Sequence, residues 1–345
     1  MKHDLFSDHH HGRELDVSTV ENALVDVLVR ATDDHIASFQ LTKGAMRLVS
    51  PEEQGVLLRS VGNLAPEVEV GGSAANVMRA LALLGGRASY SSVVGNDDYG
   101  RSFAQRLEKL SIKNRLIYEG GATGTCVVLV TEDGERTLNT HLGVCTTYRE
   151  VHLPQDDIAN SKVFFTTGYA WDTENQKGAL RKAIRHATAS GTIVALDVAD
   201  GFVIERSGDE LRAVIEESVD IVFANATESK MLTGAAGKEG AKVLSSMARL
   251  AVVKDGPGGS FIAYGGQVLH IPAPSVDVVD TTGAGDFYAG GFLYGLTRNL
   301  PLDVCGEIAT HMGSDTVRHL GVRHSADLVQ RVHSWLEQRG IAKNH

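Results

Sequence analysis

The chain has 345 residues, 43% hydrophobic and 22% charged, the make-up of a globular protein long enough for one large domain or two. Lysine and arginine total 33 against 43 aspartates and glutamates, and the resulting charge of −10 argues against nucleic acid and membrane surfaces as partners. A small anionic ligand stays open, because a local ring of backbone N–H groups overrides net charge.

Residues 1–18 read as a polar N-terminal leader, with no apolar core of a secretory signal and with His9, His10 and His11 as a solvated run rather than a metal site. No stretch approaches the ~20 apolar residues that cross a bilayer. Cys126, Cys145 and Cys305 are widely spaced and odd in number, which fits the reducing cytoplasm better than a disulfide scaffold. Residues 23–30 (ALVDVLVR) predict a buried strand interrupted by Asp26. Residues 73–84 predict a helix closed by Gly85-Gly86, followed by a strand over Tyr90–Val94 and an amphipathic helix over 98–110. From about 114 to 141 the chain reads as strands and turns, with Asp133-Gly134 as a hairpin signal.

Beyond residue 160 strands and helices alternate. VFFTTG, TIVALDV, DIVFAN and LAVVKDG are the strands, with helices near 174–190, 207–217, 226–233 and 238–249. A hairpin, SFIAYGGQVLHI, precedes three helices at about 286–298, 301–319 and 325–339. That alternation predicts a single doubly wound, mainly parallel α/β domain spanning residues 1–345. A small β-sheet lid is expected from about 30–50 and 114–141. Ligands of such sheets bind outside the carboxyl ends of the strands.

Two segments carry chemistry. In Asp280-Thr281-Thr282-Gly283-Ala284-Gly285-Asp286, small residues lead into a helix and expose backbone N–H groups at its N-terminus. That arrangement stabilises a phosphoryl group in flight, and Asp286 is placed as the base for an attacking hydroxyl. The plain alternative is an aspartate capping a glycine-rich turn. In Gly71-Gly72-Ser73-Ala74-Ala75-Asn76 the glycine pair allows close approach of a ligand, and Asn76 can bond a ligand hydroxyl. Helix packing alone would also explain that pair.

Together, the GG-small-x-x-N helix start, the downstream Gly95-Asn96-Asp97-Asp98-Tyr99-Gly100 and the late D-T-T-G-A-G-D resemble the ribokinase-like (PfkB) carbohydrate and nucleoside kinase family over about residues 20–325. The resemblance implies a three-layer α/β/α fold with a β lid, and transfer of the ATP γ-phosphoryl group to an alcohol. It implies Asp286 as catalytic base and Gly283, Ala284 and Gly285 as the anion hole. It implies Asn225 and Glu228 as an N-x-x-E motif organising Mg2+ through water, and Lys254, Gly256, Gly259 and Thr282 on the nucleotide side. Asp26, with Gly71, Gly72 and Asn76, would hold substrate hydroxyls. A K+ site near Asp277 and Val279, and a monomer or homodimer, also accord with the family. Asn225 and Glu228 equally have the spacing of a helix capping box.

Asn22-Ala23-Leu24-Val25-Asp26, Thr123-Gly124-Thr125-Cys126, Arg136-Thr137-Leu138-Asn139 and Gly168-Tyr169 are similar to the adenosine kinase branch. Val20-Glu21 stand where the family places a glycine before Asn22, and Ala170 stands where animal adenosine kinases carry an aromatic residue. A base wall would then fall to Tyr169, Trp171 or Met46, each of which is also a candidate for ordinary core. Arg136 contacts phosphate or substrate, or is an exposed lid arginine. The expected activity is ATP-dependent phosphorylation of a nucleoside, adenosine first. The alternatives are a sugar kinase for ribose or fructose and a non-catalytic ligand-binding regulator.

Overall fold

The computed structural model describes residues 1–6, 10, 12–60, 67–133 and 135–341. His9, His11 and Gly134 lie outside the described residues, and with them most of the histidine run and half of the expected hairpin turn. The first half of the chain runs β1 (Leu15–Val20), β2 (Leu24–Arg30), α1 (Asp33–Ser38), β3 (Met46–Leu48), α2 (Pro51–Ser60), β4 (Glu67–Gly71), α3 (Ser73–Leu83), β5 (Ala88–Gly95) and α4 (Asp98–Lys109). Next come β6 (Lys113–Glu119), β7 (Gly124–Val130), β8 (Arg136–His141), α5 (Gln155–Ala159), β9 (Ser161–Thr167), α6 (Glu174–Ala189), β10 (Ile193–Asp197) and α7 (Gly201–Ser218). The remainder is β11 (Ile221–Asn225), α8 (Ala226–Thr233), α9 (Gly237–Met247), β12 (Leu250–Lys254), β13 (Ser260–Tyr264), β14 (Gln267–Ile271), α10 (Ala284–Thr297), α11 (Leu302–Thr316) and α12 (Leu328–Gln338).

Nine strands form one sheet in the order β14-β13-β12-β11-β10-β9-β1-β5-β6. From β12 to β6 all neighbours are parallel, and β13 and β14 close one edge antiparallel. Helices cover both faces, so the central strands are apolar on both sides. Val163 and Phe165 of β9 join one core and Phe164 the other, and β11 divides Ile221 and Phe223 from Val222 and Ala224 in the same way. The α/β/α layering is the one the alternating pattern predicts.

Two expectations are corrected. Residues 15–18, expected as the end of the leader, instead open β1 (Leu15–Val20), a fully buried strand between β5 and β9. Its polar residues conceal it: Asp16 is buried, accepts the Arg87 N–H at 3.0 Å and pairs with Lys162 at 2.8 Å. The residues before it are also packed, with Leu5 in the core and the Met1 amino group on Asp303. Second, the small sheet has the order β3-β8-β7-β2-β4. It therefore takes in residues 24–30 and 67–71, while 113–119 extend the large sheet as β6 beside β5. Apolar periodicity identifies a strand without saying which sheet it joins.

The chain leaves β1 for neighbours on both sides, first β5 and β6, later β9 to β12. β1 is thus the switch point, and the cleft outside its carboxyl end is where this topology binds ligands. Helices α3 and α10 meet beneath that cleft, and a Cβ on Gly290 would lie 2.5 Å from the Val77 carbonyl oxygen. Gly290→Ala should push the two helices apart and cost about 1–3 kcal/mol, read as a lower thermal midpoint in calorimetry. An unchanged midpoint would show that the contact has slack.

Candidate active site

Asp286 sits in the first turn of α10, whose N-cap Gly283 has φ +70°, a left-handed conformation that favours glycine. Asp280 fixes the preceding loop. It accepts the Thr282 N–H at 3.0 Å and the Gly321 N–H at 2.8 Å, and pairs with Arg136 at 2.5 Å. The Asp286 carboxylate is oriented by α3: Ser73 Oγ donates to one oxygen at 2.7 Å and Asn76 Nδ2 to the other at 2.9 Å. Burial pushes its pKa up, while these two donors and Lys254 pull against that rise. A carboxylate so held lies at the N-terminus of the helix, where the Ala284 N–H, expected in the anion hole, donates to the Thr281 carbonyl at 3.2 Å.

The ends of β10, β11 and β12 form the adjoining wall. Lys254 Nζ donates to Asp197 Oδ2 at 2.7 Å and would lie 3.2 Å from a Cβ on Gly285, so it reaches the start of α10. Burial alone would lower the Lys254 ammonium, but Asp197 and Glu228 outweigh it and hold it above its ordinary value. The other Asp197 oxygen accepts the N–H of Ala199 at 3.1 Å, and Ala199 is held at φ +80°. Glu228 closes the capping box: the Asn225 N–H and Nδ2 donate to its oxygens at 2.7 and 2.5 Å. Burial and then Asp197 push Glu228 up to about 7. Both the cap and the cavity position are real, since Asn225 and Glu228 also line the cavity.

On the opposite side β2 and β4 present Asp26 and the glycine pair. A Cβ on Gly71 would collide with the Asp26 carboxylate at 2.2 Å, and Gly72 has φ +93°. Among the described residues nothing donates a hydrogen bond to Asp26. Burial pushes it up to about 7, Arg136 works against the rise, and Glu69 and Asp286 add to it. Glu21, where a glycine was expected, is buried and satisfied by the Asn22 N–H at 2.9 Å and by the Thr167 N–H and Oγ1 at 3.0 and 2.6 Å. Asn22 donates to the Tyr169 carbonyl at 2.9 Å, which ties the end of β1 to the cavity wall.

These groups enclose a cavity of about 300 Å³. It brings together Asp26, Met46, Gly72, Asn76, Tyr169, Asn225, Glu228, Lys254, Thr282, Gly283, Gly285 and Asp286 from the sequence reading. The small sheet adds Leu24, Leu138 and Cys126, and the large domain adds Phe202. Asn76, expected on a ligand hydroxyl, instead commits its amide N–H to Asp286. Trp171 is turned away and buried, its Nε1 donating to Glu210 at 3.0 Å and its ring under Arg181. Arg136 is neither exposed nor in the cavity but buried on Asp280. Gly256 and Gly259 lie outside the cavity, and a Cβ on Gly259 would strike the Ile271 carbonyl at 2.1 Å, so that glycine serves packing. Asp277 and Val279 lie on an exposed stretch. Sequence reasoning missed Ser73, Asp197 and Phe202. Asp197 alone had a signal, as the carboxylate closing a predicted strand.

The profile of the pfkB family of carbohydrate kinases matches residues 45–328. The chain is 28% identical to cytidine kinase of Thermococcus kodakarensis over 258 residues, 73% of this chain and 88% of that one. Among solved structures it is similar to a probable sugar kinase from Rhizobium etli, with TM-score 0.89, 31% identity, and coverage of 96% of this chain and 100% of that one. It is also similar to adenosine kinase from Sinorhizobium meliloti, with TM-score 0.88 and 32% identity over 93% of this chain and 99% of that one.

Two outcomes follow from the carboxylates. Ser73→Ala removes a donor that favours the charged form, so Asp286 should titrate at higher pH, measured by carbon NMR of the labelled carboxyl. No movement would mean that the bond contributes nothing to its ionisation. Asp26 binds its proton more tightly folded than unfolded, so its contribution to stability is lost as pH rises from about 4 towards its folded value of about 7. Asp26→Asn should therefore raise the thermal midpoint of the unliganded protein at pH 8 and leave it little changed at pH 4. A lower midpoint at pH 8 would contradict the argument.

Proposed function

The chain belongs to the pfkB family of carbohydrate kinases, phosphotransferases with a hydroxyl acceptor, and we propose that its acceptor is a nucleoside, with adenosine the first candidate. One observation carries this reading. Beyond Asp26 the cavity is walled by Leu24, Met46, Leu138 and Leu142 on one side and by Tyr169 and Phe202 on the other. A free sugar carries hydroxyls around its whole rim and needs polar partners all round, whereas extended apolar and aromatic walls suit the faces and edges of a nucleobase. Asp26, without a donor of its own, accepts from the ribose hydroxyls beside Gly72.

The phosphoryl donor in this family is ATP, bound as a substrate. Asp286, aimed by Ser73 and Asn76, takes the proton of the attacking hydroxyl. The N–H groups at the start of α10 and the Lys254 ammonium offset the charge that builds on the transferring group. The walls of the cavity exclude water, a competing acceptor. Asp197, Glu228 and Asp286 converge around one ammonium, and that surplus of negative charge fits a divalent cation such as Mg2+. Asp197 and Glu228 are the residues that would hold it, through water. When bound, the metal shields phosphate charge. Free, buried cysteines suit a cytoplasmic location.

ADP release over adenosine, cytidine, ribose and fructose tests the reading. Turnover is expected on a nucleoside, and Asp286→Asn should lower kcat by about 10²–10⁴-fold with KM little changed. Turnover on ribose or fructose with none on any nucleoside overturns the substrate class. Near-normal kcat in the variant removes Asp286 as the base.

A further inference from the structure

One part of the cavity wall is a charged pair that phosphoryl transfer does not use. Arg206 Nη1 lies 2.5 Å from Asp172 Oδ1, and both side chains line the cavity. Arg206 is one helical turn along α7 from Phe202, and its guanidinium lies 4.9 Å from the centre of that ring. The Asp172 side chain is only 15% exposed. Among the described residues no group donates a hydrogen bond to its second oxygen. A largely buried carboxylate beside apolar walls is costly unless its acceptors are filled. Here one oxygen is paired with the guanidinium, and no described group donates to the other oxygen of this cavity-lining side chain. The pair is fixed on two sides, by the ring beneath Arg206 and by the start of α6, whose N-cap Thr173 follows Asp172 directly.

The Asp172 carboxylate offers acceptors and no donor, whereas Arg206 beside it supplies N–H donors only. Nucleobases of similar outline differ in this respect: an amino group at the edge donates, an oxo group only accepts. An oxo oxygen placed against Asp172 would set two acceptors face to face, and the ring N–H beside it reaches the carboxylate only if the base shifts, while an amino group in that place fills the open oxygen directly. We propose that Asp172, held by Arg206, reads the nucleobase and selects amino-bearing nucleosides over their oxo counterparts. This rests on the nucleoside reading above and deepens it. The competing role, a tie between the starts of α6 and α7 with no contact to substrate, makes a different prediction.

The test is kcat/KM for two matched pairs, adenosine with inosine and cytidine with uridine, in the wild type and in Asp172→Asn. The wild type should prefer the amino member of the pair it accepts. The amide can turn an N–H towards an oxo edge, so the preference should fall by about 10- to 100-fold, the worth of a hydrogen bond to a charged group. A loss of folding or of general activity lowers both members alike and leaves the ratio unmoved. Arg206→Met frees the carboxylate from its fixed position and should shift the ratio in the same direction, which keeps the test open if Asp172→Asn does not fold. Unchanged ratios beside ordinary nucleoside turnover overturn the role of Asp172 alone. A wild type that phosphorylates no nucleoside overturns the nucleoside reading and this inference with it.

Discussion

Carboxylates crowded into one cleft set the terms for everything around them. Glu21, Asp26, Asp197, Glu228 and Asp286 all line it, and Lys254 is the ammonium at their centre. Burial first, with a smaller contribution from neighbouring like charges, pushes Glu21, Asp26 and Glu228 each up to about 7. The cavity separates these groups by what each is given. Glu21 has three donors and ties strand ends together. Asp197 has Lys254. Asp286 has two donors from one helix, so that it is aimed without being neutralised. Asp26 has none among the described residues. A cavity in this state stores unfavourable charge that a donor-bearing ligand or a cation would relieve on binding.

Topology is what makes the crowding possible. Parallel strands bring the carboxyl ends of β1, β9, β10, β11 and β12 to one side, and each contributes a polar residue just past its last apolar position: Glu21, Tyr169, Asp197, Asn225 and Lys254. The apolar runs beneath them are rigid because both faces are covered. Asp286, the proposed base, comes from elsewhere, from the junction of α3 and α10. Those helices approach closely only because Gly290 and the small residues of α3 allow it. Asp286 and its two donors thus belong to different helices locked by packing, a firmer mount than a loop provides.

Much of this was legible in the sequence, for identifiable reasons. Glycine before a helix and a carboxylate within its first turn leave few alternatives, so Asp286, Gly283, Gly72 and Asn225 stood out. What stayed hidden depends on partners distant in sequence. Ser73 sits next to a glycine pair that drew the attention, and only the fold shows its hydroxyl against Asp286. Trp171 and Phe202 are both aromatic residues in plausible places. The choice between them is made by Glu210 and Arg181, which pin the indole away from the cavity, and by the start of α7 at Gly201, capped by Asp200, six residues before the predicted helix. β1 was hidden by its polarity, since Asp16, Ser18 and Thr19 do not resemble a central strand until Lys162 and Arg87 are seen beside Asp16. The lid boundary failed because a strand's pattern carries no record of its neighbours.

Arg136 shows how the two sheets are coupled. It lies on β8 in the small sheet, yet its partner, Asp280, anchors the loop that leads into Asp286. Its Nε and Nη2 find no well-aligned acceptor, so the contact is an ion pair rather than a fitted hydrogen bond. Glu69 of β4 makes a second bridge, to Arg323 at 2.9 Å. Asp26 belongs to the same small sheet as Arg136 and Glu69. A displacement that carried Asp26 out of the cavity would therefore also take Arg136 from Asp280 and Glu69 from Arg323. Ions that separate into water recover their hydration, so pairs of this kind add little net stability and are readily parted. What they add is register: the sheet that carries Asp26 rests in one position relative to the loop that leads into Asp286.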